Sequence, residues 1–383
     1  GSIFTFSLTL GDFIAPSVWP EKLKLKWKAT VGSGVSSPVA DAGRVWIHSR
    51  KGDDEVVSCL DLKSGKPLWS KSYPAPFAGY SAAARVGKGP YSTPVLFGGR
   101  LYTLGVTAIL SCFDAQTGEL IWRRDFGPVD ISNMFTGAGM SPLIDRGSVI
   151  VHVGDDRRGM LLALDAASGE EKWQWSGDGP GYASPIAVEF EGERQLVTMT
   201  DKAVIGVAAQ SGQLLWRISW PDKFNENIVT PVSYKDTLMF SGVRKGTLAV
   251  RVRKKGNQWT TQEVWSNPEV CMYMSSPILD GNYLFGMSDK RKGQFFCLNA
   301  ATGEVTWATE GREGSNAAIV SAKGVLFILT DEARLIAARQ RASVFEPIKT
   351  YLVADSQTLA HPVVSGRQII IKDSEGLTLW SLD

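Results

Sequence analysis

The stretch Cys59-Leu60-Asp61-Leu62-Lys63-Ser64-Gly65-Lys66-Pro67-Leu68-Trp69 decides the fold, because it is one copy of a signature that recurs along the chain. The same order of a small residue, Asp or Asn, Thr or Ser, Gly and a closing Trp runs from Cys112 to Trp122, from Ala163 to Trp173 and from Cys297 to Trp307. A further copy keeps Ser211, Gly212 and Trp216 but carries Ala208 where the acid belongs. Self-similarity at a period of roughly 40–55 residues marks a repeat architecture and outranks any local reading.

Each copy closes a longer unit that opens with a small or polar residue and a proline: Ser37-Pro38, Thr93-Pro94, Ser141-Pro142, Ser184-Pro185, Thr230-Pro231, Ser276-Pro277 and His361-Pro362. Two or three apolar residues, a Gly/Asp turn and an alternating run such as Ser148-Val149-Ile150-Val151 follow. Then come a polar loop, a third apolar run, the Asp-x-x-Thr-Gly turn and the strand with the Trp. That pattern is four short strands joined by turns, with no helical period. Proline is tolerated at the first residue of a strand, where its missing N–H need not break a ladder. In the turn, Asp bonds nearby backbone N–H groups and Gly supplies the positive φ.

Four-stranded units at this period are propeller blades. Closing aromatics at Trp69, Trp122, Trp173, Trp216, Trp265, Trp307 and Tyr351 count seven complete units. An eighth opens at His361-Pro362 and stops at Asp383 one strand short, while Leu23-Lys24-Leu25-Lys26-Trp27 reads as an orphan closing strand. The expected fold is an all-β, eight-bladed propeller of four-stranded antiparallel blades, the last blade completed by the N-terminal strand. One domain over residues 23–383 is expected, preceded by an N-terminal extension over 1–22 that begins with Gly1-Ser2, which reads as a cloning remnant. The tryptophans Trp27, Trp69, Trp122, Trp173, Trp216, Trp265 and Trp307 are read as structural.

Composition narrows the function classes. A net charge of +2 over 383 residues gives no reason to expect nucleic acid or an anionic membrane as partner. No apolar stretch reaches the length of a transmembrane helix, and Ile3 to Pro20 lacks the basic start of a signal peptide. Cys59, Cys112 and Cys297 share one repeat position and read as small core fillers, and Cys271 stands alone. No catalytic motif and no metal-ligand spacing is present. Asp53-Asp54-Glu55 and Asp155-Asp156 read as solvated hairpin tips.

The repeated signature resembles the tryptophan-docking motif of the pyrroloquinoline quinone (PQQ)-like propeller repeats, over nearly the whole chain from Leu23 to Asp383. Repeat-only length is similar to the compact members, one of which is the lipoprotein of the bacterial outer-membrane β-barrel assembly machinery. The resemblance implies a periplasmic or otherwise extracytoplasmic protein. Through its dehydrogenase members it also allows PQQ with calcium. Those enzymes hold the quinone against a vicinal cysteine disulfide, and this chain has no adjacent cysteines. No cofactor is therefore expected.

Blade topology says where a site belongs. Loops into the first strand and between strands two and three open on one face, here the opening face. The Asp-x-x-Thr-Gly turns lie on the other, the turn face. Cations on the opening face include Arg50, Lys51, Arg157, Arg158, Arg244, Lys245, Lys290, Arg291 and Lys292, interleaved with acids. His48 and His152 occupy one repeat position and are expected to pack in or on the sheet; His361 sits at the mouth of an innermost strand. Candidate funnel or partner contacts are Arg85, Lys88, Tyr91, Asn133, Asn227, Met272, Tyr273, Asn316 and His361, because Tyr, Met, Arg and amides converging on an axis suit recognition. The leading expectation is a monomeric, non-catalytic scaffold binding a protein or small ligand through this face. Its alternatives are a quinone-dependent oxidoreductase or an enzyme acting on a sugar or polyanion, and an outer-membrane assembly subunit.

Overall fold

The structure is a computed structural model that describes residues 13–79, 81–127, 136–155 and 158–383. It contains eight four-stranded antiparallel sheets. Blades 1 to 7 span residues 39–74, 95–125, 143–177, 186–219, 232–267, 278–308 and 317–352, each laid down in chain order. Blade 8 takes three strands from 363–381 and its outermost strand from Lys24–Thr30. The closing register runs from Lys24 opposite Ser381 to Thr30 opposite Gly376. The ragged ends of the sequence thus pair with each other, and no blade is left with a missing strand.

The second and third strands of each blade are buried almost throughout, and the fourth is largely exposed. The core lies between adjacent blades: one cluster joins Tyr102 and Leu110 of blade 2 to Val149 and Leu162 of blade 3. The four cysteines are free and buried in this packing.

The signature explains its own spacing. Trp69, Trp122, Trp173, Trp216, Trp265 and Trp307 pair across the ladder with the small residue ten or sixteen positions earlier, just before a bulge. With Trp216 excepted, the ring then leans on the turn region of the next blade. Trp27 donates its indole N–H to Leu62 O (2.8 Å), Trp69 to Ala115 O (3.2 Å), Trp122 to Ala166 O (3.1 Å), Trp173 to Ala209 O (3.0 Å) and Trp265 to Ala300 O (3.0 Å). The turn glycine is required twice over. Gly169 has φ +74°, and a Cβ there would lie 2.7 Å from the Trp122 ring.

Two departures from expectation have clear causes. In blade 7, Lys349 rather than Tyr351 stands at the Trp register, opposite Ala337. Tyr351 instead donates its hydroxyl to Pro20 O (2.9 Å) and packs in one cluster with Phe13, Trp19 and Leu23. Phe13 and Trp19, within the expected N-terminal extension, therefore pack against the ring. Blade 5 replaces the turn with a long hairpin, Gly246–Lys255 and Gln258–Asn267, so Trp216 has no turn carbonyl and bonds Gln195 Oε1 (2.6 Å) instead. Ion pairs from Arg253 to Glu191 (3.1 Å) and Lys254 to Glu193 (2.9 Å) hold that hairpin against blade 4.

Candidate interaction face

The Ser or Thr before each opening proline has a role that its sequence position did not disclose. Around the mouth, the backbone N–H of one such residue donates to the side-chain hydroxyl of its counterpart in the next blade. The relay runs from Ser37 to Thr93 (3.3 Å), Thr93 to Ser141 (2.9 Å), Ser141 to Ser184 (3.0 Å), Ser184 to Thr230 (3.2 Å) and Thr230 to Ser276 (3.3 Å). His361 N donates to Ser37 Oγ (3.0 Å) and carries the relay into blade 8. Blade 7 has Ala317-Ala318 in place of a hydroxyl and proline, and there Ala317 N turns back to Ser275 Oγ (3.0 Å). Innermost strands are thereby tied edge to edge, giving the loops above them a rigid base.

Against that base the candidate residues divide. Asn227 is buried, its amide donating to Thr200 O (2.8 Å) and Trp220 O (2.9 Å). Met272 is buried in the core cluster between blades 5 and 6, and Asn316 is buried with its backbone N–H on Asp331. These three shape the loops from beneath the surface a partner would meet. His361 is half-buried, and burial pulls its imidazole down to about 4, so it is neutral at physiological pH. Asn133 and Arg157 lie outside the described residues.

Arg85 and Lys88 are exposed. They lie on the segment joining blades 1 and 2, which carries the short 3-10 turn Ser81–Val86. Tyr91 closes that segment, donating to Gly87 O (2.6 Å), and burial with the nearby Tyr182 raises its phenol. Tyr273 donates to Glu226 Oε1 (2.7 Å). Burial, then the bond and charge of Glu226, raise the Tyr273 phenol, and the Arg85 charge opposes the rise. Arg85 comes from the blade 1–2 link and Tyr273 from the blade 5–6 link, so the Arg85 charge acts on Tyr273 from the opposite side of the ring. Burial also raises Glu226, helped by Asp222 and opposed by its Tyr273 bond and Arg244.

A polar cluster that the sequence reading did not find lies below this face. Glu55 and Arg50 are buried rather than part of a solvated hairpin tip. Glu55 accepts from Tyr73 Oη (2.7 Å), Val106 N (2.9 Å) and Arg50 (3.5 Å), with His48 Nε2 at 3.4 Å. Gly105 makes the approach feasible, since a Cβ there would lie 2.1 Å from Glu55 Oε2. Arg123 of blade 2 stacks on the Tyr73 ring at 4.3 Å. Burial pushes the Glu55 carboxyl up, but His48, the Val106 N–H and Tyr73 outweigh it and hold it below its ordinary value. This Tyr–His–Glu group is sealed, so it joins blade 1 to blade 2 instead of facing a substrate. His152 is likewise buried, against Trp175, and desolvation lowers it to about 4. Among the described residues no three His, Cys, Asp or Glu side chains converge in a metal-binding group.

The profile of a family described as outer membrane protein assembly factor BamB matches residues 53–309. The chain belongs to that family. Its similarity extends to the BamB of Yersinia pestis, 23% identical over 388 residues, covering 91% of this chain and 86% of the relative. The BamB of Shewanella oneidensis is also 23% identical, over 79% of this chain and 77% of the relative. The crystal structure of BamB from Moraxella catarrhalis superposes with a TM-score of 0.67 at 14% identity, covering 94% of this chain and 99% of that one. A europium-containing methanol dehydrogenase reaches the same TM-score at 12% identity, so this likeness speaks for the fold alone.

Proposed function

We propose that this protein is a non-catalytic subunit of bacterial outer-membrane protein assembly, working outside the cytoplasm and docking a protein partner through its opening face. The observation that carries the reading is the match to the assembly-factor family over residues 53–309, supported by relatives aligned along most of both chains. The two faces favour the side. The turn face repeats one locally satisfied turn, in which Asp61 accepts from Ser64 N (2.8 Å) and Asp114 from Thr117 N (2.7 Å). The opening face varies from blade to blade and offers Arg85, Lys88 and Tyr273 on a rigid ring. Varied aromatic and Arg side chains on a fixed base are what a selective interface uses.

A quinone oxidoreductase is the second reading, favoured by the fold shared with the methanol dehydrogenase. The residues do not fit the group: Cys59, Cys112, Cys271 and Cys297 are buried and none adjoins another. No cofactor is part of the proposal.

The test is capture from the native host with two paired variants. Tyr273→Ala with Arg85→Ala should weaken recovery of outer-membrane assembly components, whereas Lys63→Ala with Gln116→Ala on the turn face should not. Equal loss from both pairs would remove the opening face from the proposal. In parallel, PQQ with calcium should leave the melting temperature unchanged, because a ligand that binds only the native state raises it. A saturable upward shift would restore the quinone reading.

A further inference from the structure

Three cations at the opening end of the blades have partners. Arg50 is bonded to Glu55, Lys245 reaches Asp222 at 3.9 Å and Trp220 O at 3.3 Å, and Arg334 donates to Glu313 O at 2.9 Å. Arg291, Lys292 and Arg312 differ. All three are exposed, and none makes an ion pair or side-chain hydrogen bond among the described residues. They line one cleft of about 380 Å³ together with Glu310 and Gly311.

The cleft lies between the loop joining the second and third strands of blade 6 and the link from blade 6 to blade 7. Its walls are fixed to each other. Arg312 N donates to Arg291 O (3.0 Å) and Glu313 N to Gly293 O (3.1 Å). Gly311 packs so closely that a Cβ on it would lie 2.7 Å from Arg291 O. Each cation also stands on left-handed backbone, Arg291 at φ 54°, Lys292 at 64° and Arg312 at 65°. Glycine is the residue that suits such backbone, and long charged side chains there work against stability. Unfavourable backbone at three unpaired cations around one cleft points to a use outside the fold.

We propose that this cleft docks an acidic peptide segment of a protein partner. Three cations against the single carboxylate of Glu310 leave a positive surplus that complements Asp and Glu side chains. Arg supplies the planar fork that takes a carboxylate in two hydrogen bonds. Glu310 supplies an acceptor for a peptide N–H, which a peptide has and an inorganic anion lacks. The cleft is also large enough for more than one side chain. The inference rests on reading the opening face as the docking side, and it adds the chemistry of what docks.

The test uses the full chain and a fluorescein-labelled heptapeptide of alternating Asp and Glu, read by fluorescence anisotropy at low and physiological salt. The wild-type protein should bind saturably and more weakly as salt rises. Arg291→Gly with Lys292→Gly should weaken binding about tenfold, the scale expected when two exposed charge contacts are lost. That variant should melt no lower than the wild type, because glycine relieves the backbone. Lys63→Gln with Lys66→Gln, an equal charge change on the turn face, should bind as the wild type does.

Absence of wild-type binding, equal weakening in the turn-face control, or a fall in melting temperature alongside the loss of binding would each overturn the proposal. So would displacement of the peptide by inorganic phosphate at the same concentration, since the site would then be one for small anions. Because the probe is synthetic, peptide binding with failed partner capture would sink the assembly reading and leave the cleft standing. The reverse result would remove the cleft alone.

Discussion

Replacing Glu55 tests the junction between blades 1 and 2. Glu55→Ala removes a fully buried carboxylate that holds the Tyr73 hydroxyl, the Val106 N–H and the Arg50 guanidinium. Arg50 would keep Ala75 O at 2.9 Å but lose its only carboxylate partner among the described residues, and the Val106 N–H would be left buried without an acceptor. Breaking a buried ion pair from one side costs about 3–5 kcal/mol, and an orphaned amide adds about 1–3 kcal/mol. The two overlap, so about 4 kcal/mol is expected by urea denaturation at pH 7. The pH dependence has a definite sign. The folded-state pKa lies below the unfolded value of 4.5, so the stabilisation is fully present above 4.5 and is lost as pH falls through the folded value. Glu55→Gln should therefore flatten the acid limb of the wild-type stability profile. A loss under about 1 kcal/mol in Glu55→Ala, or an unchanged acid limb in Glu55→Gln, would refute the reasoning.

Lys372 gives a prediction of opposite sign. It is 1% exposed, bonded to Ser374 O (3.1 Å) and to Asp373 O, and burial lowers it from 10.5 to about 8. A depressed lysine means the native state gives up its proton first, so stability should rise between pH 8 and 10.5 by up to about 3 kcal/mol; Lys372→Met should abolish that rise. Trp122→Ala should destabilise by about 3 kcal/mol, since a half-buried indole and its bond to Ala166 O are lost. Gly169→Ala should cause a similar loss by driving a Cβ into that ring, and thermal melts of both variants check this.

The architecture was legible because repetition made it so. One Asp-x-x-Thr-Gly-x-x-x-Trp unit is a weak signal, but several copies, a truncated last unit and an orphan strand at Leu25-Lys26-Trp27 leave little choice of closure. Tyr351 was misplaced because an aromatic near the right spacing stood in for the docking Trp, whereas its register is set by a bulge between Ala337 and Ala338. The site was far less legible. Asn227, Met272 and Asn316 sit in variable loops and read as exposed, but an amide or thioether in a tight loop also satisfies the backbone beneath it. Glu55 was missed because its partner Val106 is 51 residues away and on another blade. The local sign was that Arg50 and Glu55 face each other across their hairpin, with apolar strands on either side. The Ser and Thr residues before the prolines were visible in every count, yet their bonds run between blades, which a single repeat cannot show.

The most direct test of the functional account is to remove the gene from the native host and quantify outer-membrane β-barrel proteins by mass spectrometry. The expected result is a fall in their abundance, restored by the Lys63→Ala/Gln116→Ala variant but not by the Tyr273→Ala/Arg85→Ala variant. Unchanged β-barrel content, or full restoration by the opening-face variant at equal protein level, would contradict it.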